Sequence, residues 1–384
     1  MLRVAKLLRR CRTVHPRTLR EANPLTFREV LREKGEKRSE GRPIVLQSLD
    51  EAAQLTPSLS VSGRQLWNST KLIRGNRHIR HSHGACVIGG AGAIRRVWRD
   101  YKIQPNVVYV PDTEPTIPDW CVEDELPTCI VRCPPVDINR QLLSAEMGDG
   151  YAAEFPTPPS PTLEAFLGEK KPVRLASMLA LVGLRIPSNV GVLLRAAVDM
   201  GFDSVLLCDC VDLFNEKVLR ASGGAVFSPK IKLFETQGNA SISVLSSIAL
   251  EHRLLPLLAV PSQEAEPAFA VARRLHESNA ARRGQEEGGD GAETRPCYGP
   301  LLVLGSESQG LRSLSGDWPV PHKVVSIPLP NPAIDSINVS VAGSVLLHAF
   351  RPRAEEHFAE VARLGPNGSP HESPEEATGL ALAE

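Results

Sequence analysis

The pattern of hydrophobic and polar positions divides the chain into a polar start, two stretches of alternating strand and helix, and a polar end. Residues 1–60 show only short apolar periodicity and read as presequence and linker. In residues 65–155, β-branched runs predict strands at Gly84–Ile88, Asn106–Val110 and Thr128–Arg132. Helical spacing covers Ala93–Tyr101 and Ile138–Ala145, giving a small α/β domain. The run Phe155-Pro-Thr-Pro-Pro-Ser-Pro161 is stiff and extended, so residues 156–171 read as a linker.

Residues 172–352 form the second stretch. Strands are predicted at Leu179–Val182, Ser204–Leu207, Ile231–Phe234, Leu254–Val260, Leu301–Leu304 and Val324–Ile327. Helices are predicted between and after them, at Asn189–Met200, Glu216–Ala221, Ser241–His252 and Asn338–Phe350. This alternation implies right-handed crossovers and a parallel sheet. Residues 276–294, rich in Gly, Glu, Arg and Ala, read as a disordered surface insertion, and residues 353–384 as an acidic tail.

Composition adds limits. A chain of 384 residues with 42% hydrophobic and 23% charged positions fits a globular protein of two domains. No apolar run approaches the roughly 18 residues of a membrane span, so no membrane partner is expected. The 44 basic and 44 acidic residues cancel, yet they are unevenly placed. The first twenty residues hold seven basic and no acidic side chains, the character of an organellar transit peptide; a basic arm touching RNA is the alternative. Lys71, Arg74, Arg77, Arg80, Arg95, Arg96, Arg99 and Lys102 face one acid, Asp100, in the small domain. Phosphate binding needs such local positive charge, whatever the total.

The eight cysteines lack zinc-site spacing and read as buried structural thiols, so no metal is expected. Gly89-Gly-Ala-Gly92 follows a strand and mimics a dinucleotide fingerprint, but Arg95 takes the third glycine position. A tight strand-to-helix turn is the preferred reading over a nicotinamide or flavin site.

Three segments of the second domain carry more specific chemistry. In Asn189-Val-Gly191-Val-Leu-Leu-Arg195, Gly191 admits another backbone and Arg195 can fork onto a phosphate. Leu304-Gly305-Ser-Glu307-Ser-Gln-Gly310 is a glycine-flanked loop at a strand's C-terminal end, a usual ligand position in α/β sheets. In Ser326-Ile327-Pro-Leu329-Pro-Asn-Pro-Ala-Ile-Asp-Ser336-Ile337-Asn338-Val-Ser-Val-Ala342, a strand enters a proline-rigid loop before a small-residue helix, where Ser and Asn can cap.

In this order the three segments resemble the motifs of the SpoU/TrmH family of RNA 2′-O-ribose methyltransferases, with Ile337 in place of the family's Leu. Lys217–Phe227 is also similar to the family. The resemblance spans residues 172–350, and residues 84–155 more loosely resemble a ribosomal-protein-L30e type RNA-binding domain. Within the family, the chain looks like the mitochondrial large-subunit rRNA guanosine 2′-O-methyltransferases. The resemblance implies a SPOUT domain with a deep trefoil knot, S-adenosyl-L-methionine as cofactor, an RNA substrate and a homodimer whose active site uses both subunits. Carried over, the cofactor contacts are Leu304, Gly305, Ile327, Leu329, Ser336 and Ile337, and the catalytic positions are Arg195, Glu307, Ser336 and Asn338. RNA contacts fall on Asn189 and Arg195, joined by the basic set at Lys71, Arg74, Arg77, Arg80, Arg95 and Arg96. Two alternatives stay open on the sequence: a tRNA substrate, and a non-catalytic RNA-binding ribosome-assembly factor with the same fold.

Overall fold

The structure, a computed structural model, describes residues 43–56, 59–122, 129–158, 175–236, 241–286, 298–306, 311, 314, 316–331 and 336–352. The basic start, most of the Pro-rich linker, Glu307 and the acidic tail lie outside this set.

The first domain opens with β1 (Ile44–Leu46) and the hairpin β2 (Ala52–Thr56) and β3 (Leu59–Ser62). Helices α1 (Gly63–Gly75) and α2 (Arg77–His83) follow. Ser62 and Gln65 form a reciprocal capping box that fixes where α1 starts. Then come β4 (Ala85–Gly89), α3 (Ala91–Arg95) with a π-helical turn over Arg96–Asp100, β5 (Val107–Pro111), β6 (Cys129–Cys133) and β7 (Ala152–Pro156). The sheet runs β1-β6-β5-β7-β4, with β7 antiparallel to both neighbours.

The second domain contains β8 (Met178–Val182), α4 (Pro187–Asp199), β9 (Ser204–Cys208), α5 (Glu216–Ser222), β10 (Lys232–Thr236) and α6 (Ile242–His252). It continues through β11 (Leu254–Ala259), β12 (Glu266–Pro267), α7 (Ala268–Glu286), β13 (Gly299–Gly305), β14 (Lys323–Ser326) and α8 (Val339–Ala349). All seven strands are parallel, in the order β10-β9-β8-β13-β11-β14-β12. Alternate side chains of β8 explain the layering. Leu179 and Leu181 join Leu193 of α4 and Leu346 of α8 on one face, while Met178 and Ala180 join Leu245 and Ile248 of α6 on the other. Covered on both faces, the central strands are continuously apolar.

Two sequence expectations are revised. The polar start does not reach residue 60, because β1 already pairs with Cys129–Val131. A three-residue edge strand held by a partner far along the chain has no local period to reveal it. Residues 276–286 are not disordered: they extend α7, whose Ala, Arg and Glu favour helix even though few are apolar. Residues 287–294 lie outside the described set.

The two domains share one apolar core, in which the rings of Phe155 and Phe227 sit 6.0 Å apart. Beside it Arg80 reaches from α2 to Asp212, both almost fully buried, through its Nε at 2.8 Å and an Nη. Its other Nη donates to the carbonyls of Ile73 at 2.9 Å and Arg74 at 2.6 Å. Arg80 is therefore removed from the RNA-facing set, because its guanidinium is consumed in joining the domains.

Candidate active site

Described residues on either side of positions 332–335 in the third segment meet the ends of β11, β13 and β14 around a cavity of about 780 Å³. This volume suits a small-molecule site. Its place at the C-terminal ends of parallel strands is where open α/β sheets present ligands. Leu304, Gly305, Ile327, Leu329, Ser336 and Ile337 all line it. So do Ala259, Ser262 and Gln263 at and after β11, and Ala342 and Leu346 of α8, which sequence reasoning missed. Their only advance signal was that β11 also ends on the ligand-bearing side of a parallel sheet. The described lining holds no charged side chain, so hydrogen bonding falls to peptide groups and to residues such as Ser262, Ser326 and Ser336.

The first segment approaches from behind α8. Asn338 caps α8, its Oδ1 accepting from the Ser340 amide at 2.9 Å and the Ser340 hydroxyl at 2.6 Å. Its Nδ2 donates to Oδ1 of buried Asn189 on α4 at 3.4 Å. Close approach depends on two glycines. A Cβ on Gly191 would stand 2.5 Å from the Val218 carbonyl oxygen and 2.6 Å from the Ala221 Cβ, both on α5. A Cβ on Gly343 would meet Leu193 of α4 and Leu304 of β13. Gly191 thus lets α4 and α5 touch, and Gly343 seats α8 between α4 and the cavity wall.

Arg195 does not line the cavity. It lies on the outer face of α4 with its Nε 3.7 Å from Asp199, both side chains more than half exposed, a pairing too loose to hold it. The structure brings together Asn189 and Asn338, and separately the six lining residues, but leaves Arg195 outside. Of the basic set, Lys71 donates to Gln141 at 2.9 Å, Arg74 to the Gln141 carbonyl at 3.3 Å, and Arg77 to His81 at 3.3 Å. Arg95 is exposed, and Arg96 donates to the Gly223 carbonyl at 2.6 Å.

The glycine-rich turn at 89–92 is structural. The first amide of α3, on Ala91, donates to the Asp149 carboxylate at 2.7 Å, where a pyrophosphate would have to sit. The six described cysteines are free thiols. Burial pushes the pKa of Cys121, Cys129, Cys133 and Cys208 up to about 12, consistent with inert core thiols.

Comparison with known proteins agrees with this architecture. Residues 176–250 match the model of the SpoU rRNA Methylase family. A Synechocystis sp. protein, described as an uncharacterized tRNA/rRNA methyltransferase, is 28% identical over 184 residues, 45% of this chain. The match spans 52% of that relative, about half its length. Among solved structures, an RNA 2′-O ribose methyltransferase is 24% identical, covering 74% of this chain and 94% of its own, with a TM-score of 0.51. The SpoU methyltransferase AviRb of Streptomyces viridochromogenes, solved in complex with AdoMet, is 18% identical, covering 77% and 99%, with a TM-score of 0.50. At these identities the solved structures establish the fold. The residues that match the SpoU rRNA Methylase family model include the α4 segment, and the seven-stranded parallel sheet around it has the fold of these solved methyltransferases.

Proposed function

We propose that the protein is an S-adenosyl-L-methionine-dependent RNA 2′-O-ribose methyltransferase acting on mitochondrial large-subunit rRNA. One observation carries the reading: six residues from two separate segments of chain, assigned to the cofactor on motif resemblance, line one cavity of suitable size. Apolar walls, peptide groups and the absence of a cationic side chain in the described lining suit a sulfonium-bearing nucleoside. In this reading the C-terminal part of the second domain is threaded into a deep trefoil knot.

When bound, S-adenosyl-L-methionine supplies an electrophilic methyl group. The protein's own task is to align a ribose 2′-hydroxyl with it and to let that hydroxyl's proton pass to solvent water. Alignment alone can contribute up to roughly 7–11 kcal/mol. Arg195 is assigned to anchoring a phosphate and stabilising the developing alkoxide through the forked N–H donors of its guanidinium. Asn338, held by Asn189 and by the start of α8, orients the ribose, with Ser336 beside it at the cavity wall. Glu307 is assigned to orienting Arg195.

Because Arg195 lies away from the lining, we assign it to the cavity of a second subunit in a homodimer. Exposed Ile186 just before α4, Val192 on α4 and Val341 on α8 supply apolar area at the two helices that would pair. The mitochondrial assignment rests on the Arg-rich, acid-free first twenty residues, and tracking a tagged full-length chain in cells tests it.

Calorimetric titration with S-adenosyl-L-methionine is the direct test. Binding by the native chain and loss of binding in Ala342→Phe, which fills the cavity from α8, are expected. No binding to the native chain would favour the non-catalytic assembly-factor reading. Mapping 2′-O-methyl sites in RNA from cells with and without the gene then separates rRNA from tRNA substrates.

A further inference from the structure

Two arginines from different domains meet over one glycine. Gly223, with Gly224, ends α5 in the left-handed region, at φ 57° and 84°. From the place a Gly223 Cβ would occupy, an Nη of Arg96 is 3.1 Å away and an Nη of Arg195 is 3.5 Å away. The two guanidiniums are therefore separated by no more than the sum of those distances. Glycine is favoured here by its left-handed backbone conformation. Gly224 serves the same docking, since its Cβ would stand 2.8 Å from Val97, beside Arg96.

Charge at this junction is poorly balanced. Arg96 donates to a neutral carbonyl, that of Gly223, and Arg195 has the loose contact with exposed Asp199. Among the described residues, no other carboxylate lies within ion-pair distance of either. Each guanidinium has five N–H donors, few of them bonded to described residues, and two like charges held this close favour an anion between them. Two charge-assisted contacts of about 2.8 Å each already span most of the separation.

We propose that Arg96 and Arg195 form one phosphate clamp at the domain junction, taking a single phosphodiester of the RNA. This inference rests on the RNA methyltransferase reading and deepens it. Arg96 becomes a substrate-binding residue that the first domain delivers to the arginine of the second. In the homodimer reading, the phosphodiester held by this clamp belongs to the RNA entering the cavity of the second subunit.

The test measures binding of a mixed-sequence single-stranded RNA 20-mer against salt for the native full-length chain, Arg96→Gln, Arg195→Gln and the double variant. Each single change is expected to weaken binding roughly tenfold, the scale of a hydrogen bond to a charged group. The double variant should lose little more than either single one, and its plot of log affinity against log salt should be shallower by about 0.7, one phosphate's worth. Arg96→Lys, which keeps charge but not the fork, should retain most of the slope while binding more weakly. Additive losses with a slope change of about 1.4 would mean two separate phosphates and overturn the clamp. An Arg96→Gln protein that melts earlier but keeps native affinity and slope would reduce Arg96 to a domain tether, and also overturn it. In both cases methyl transfer by the native chain stands. Failure of the native chain to bind the RNA at all would remove the broader reading and the clamp together.

Discussion

The amide of Asn338 donates to Oδ1 of Asn189 across 149 residues of chain, linking the start of α8 to the start of α4. One side chain thus does two jobs, because its oxygen also caps α8. Asn338→Asp separates them: the carboxylate keeps the cap but turns the contact with Asn189 into a meeting of two acceptors. Methyl transfer should fall at least tenfold while the melting temperature stays within a few degrees. Asn338→Ala should in addition lose about 1 kcal/mol of stability with the cap. Single-turnover methyl transfer beside thermal melts checks both, and an Asp variant of native activity would remove Asn338 from the site.

Gly191 is a packing requirement in the middle of a motif. Gly191→Ala should destabilise the fold by about 1–3 kcal/mol, since the added methyl meets the Val218 carbonyl and the Ala221 side chain. Urea denaturation of the variant measures this. A neutral result would mean that α4 and α5 can separate at little cost.

The buried Arg80–Asp212 pair is expected to be costly to break from one side. Asp212→Ala leaves the Arg80 guanidinium buried without its carboxylate and should cost about 3–5 kcal/mol. Replacing both partners, as Arg80→Met with Asp212→Leu, should recover much of that loss, because no charge then remains buried. Comparing the two unfolding midpoints decides it.

Glu216 gives a pH signature. Burial raises its pKa in the folded state, with Arg220 and then Arg74 and Lys217 opposing. A raised carboxyl pKa means that the folded state pays its full penalty above that pKa and is relieved as pH falls through it. Glu216→Gln should therefore raise the melting temperature at neutral pH by up to about 2–4 °C, the scale of 1 kcal/mol in a chain of this size. The advantage should shrink as pH drops toward the ordinary carboxylate range. Melts between pH 5 and 8 test the sign.

What the sequence determined by itself was local or carried in short order. The strand runs at 179–182, 204–207 and 301–304 and the helices between them were legible, since period and β-branching are properties of neighbouring residues. The three motif segments also stood out as strings, and with them the six residues that line the cavity. Tertiary structure decided whatever depends on partners distant in the chain. β1 exists because Cys129–Val131 pairs with it, and Arg80 is buried because Asp212 waits in the other domain. In the basic patch at 71–102, equal charges on a page have unequal fates. Arg95 is exposed, Arg80 is spent between domains, and Arg96 is turned toward Arg195 over Gly223. The physical reason is common to all three: a guanidinium's role is set by what lies within a few ångströms of it. Distance in the chain does not encode that.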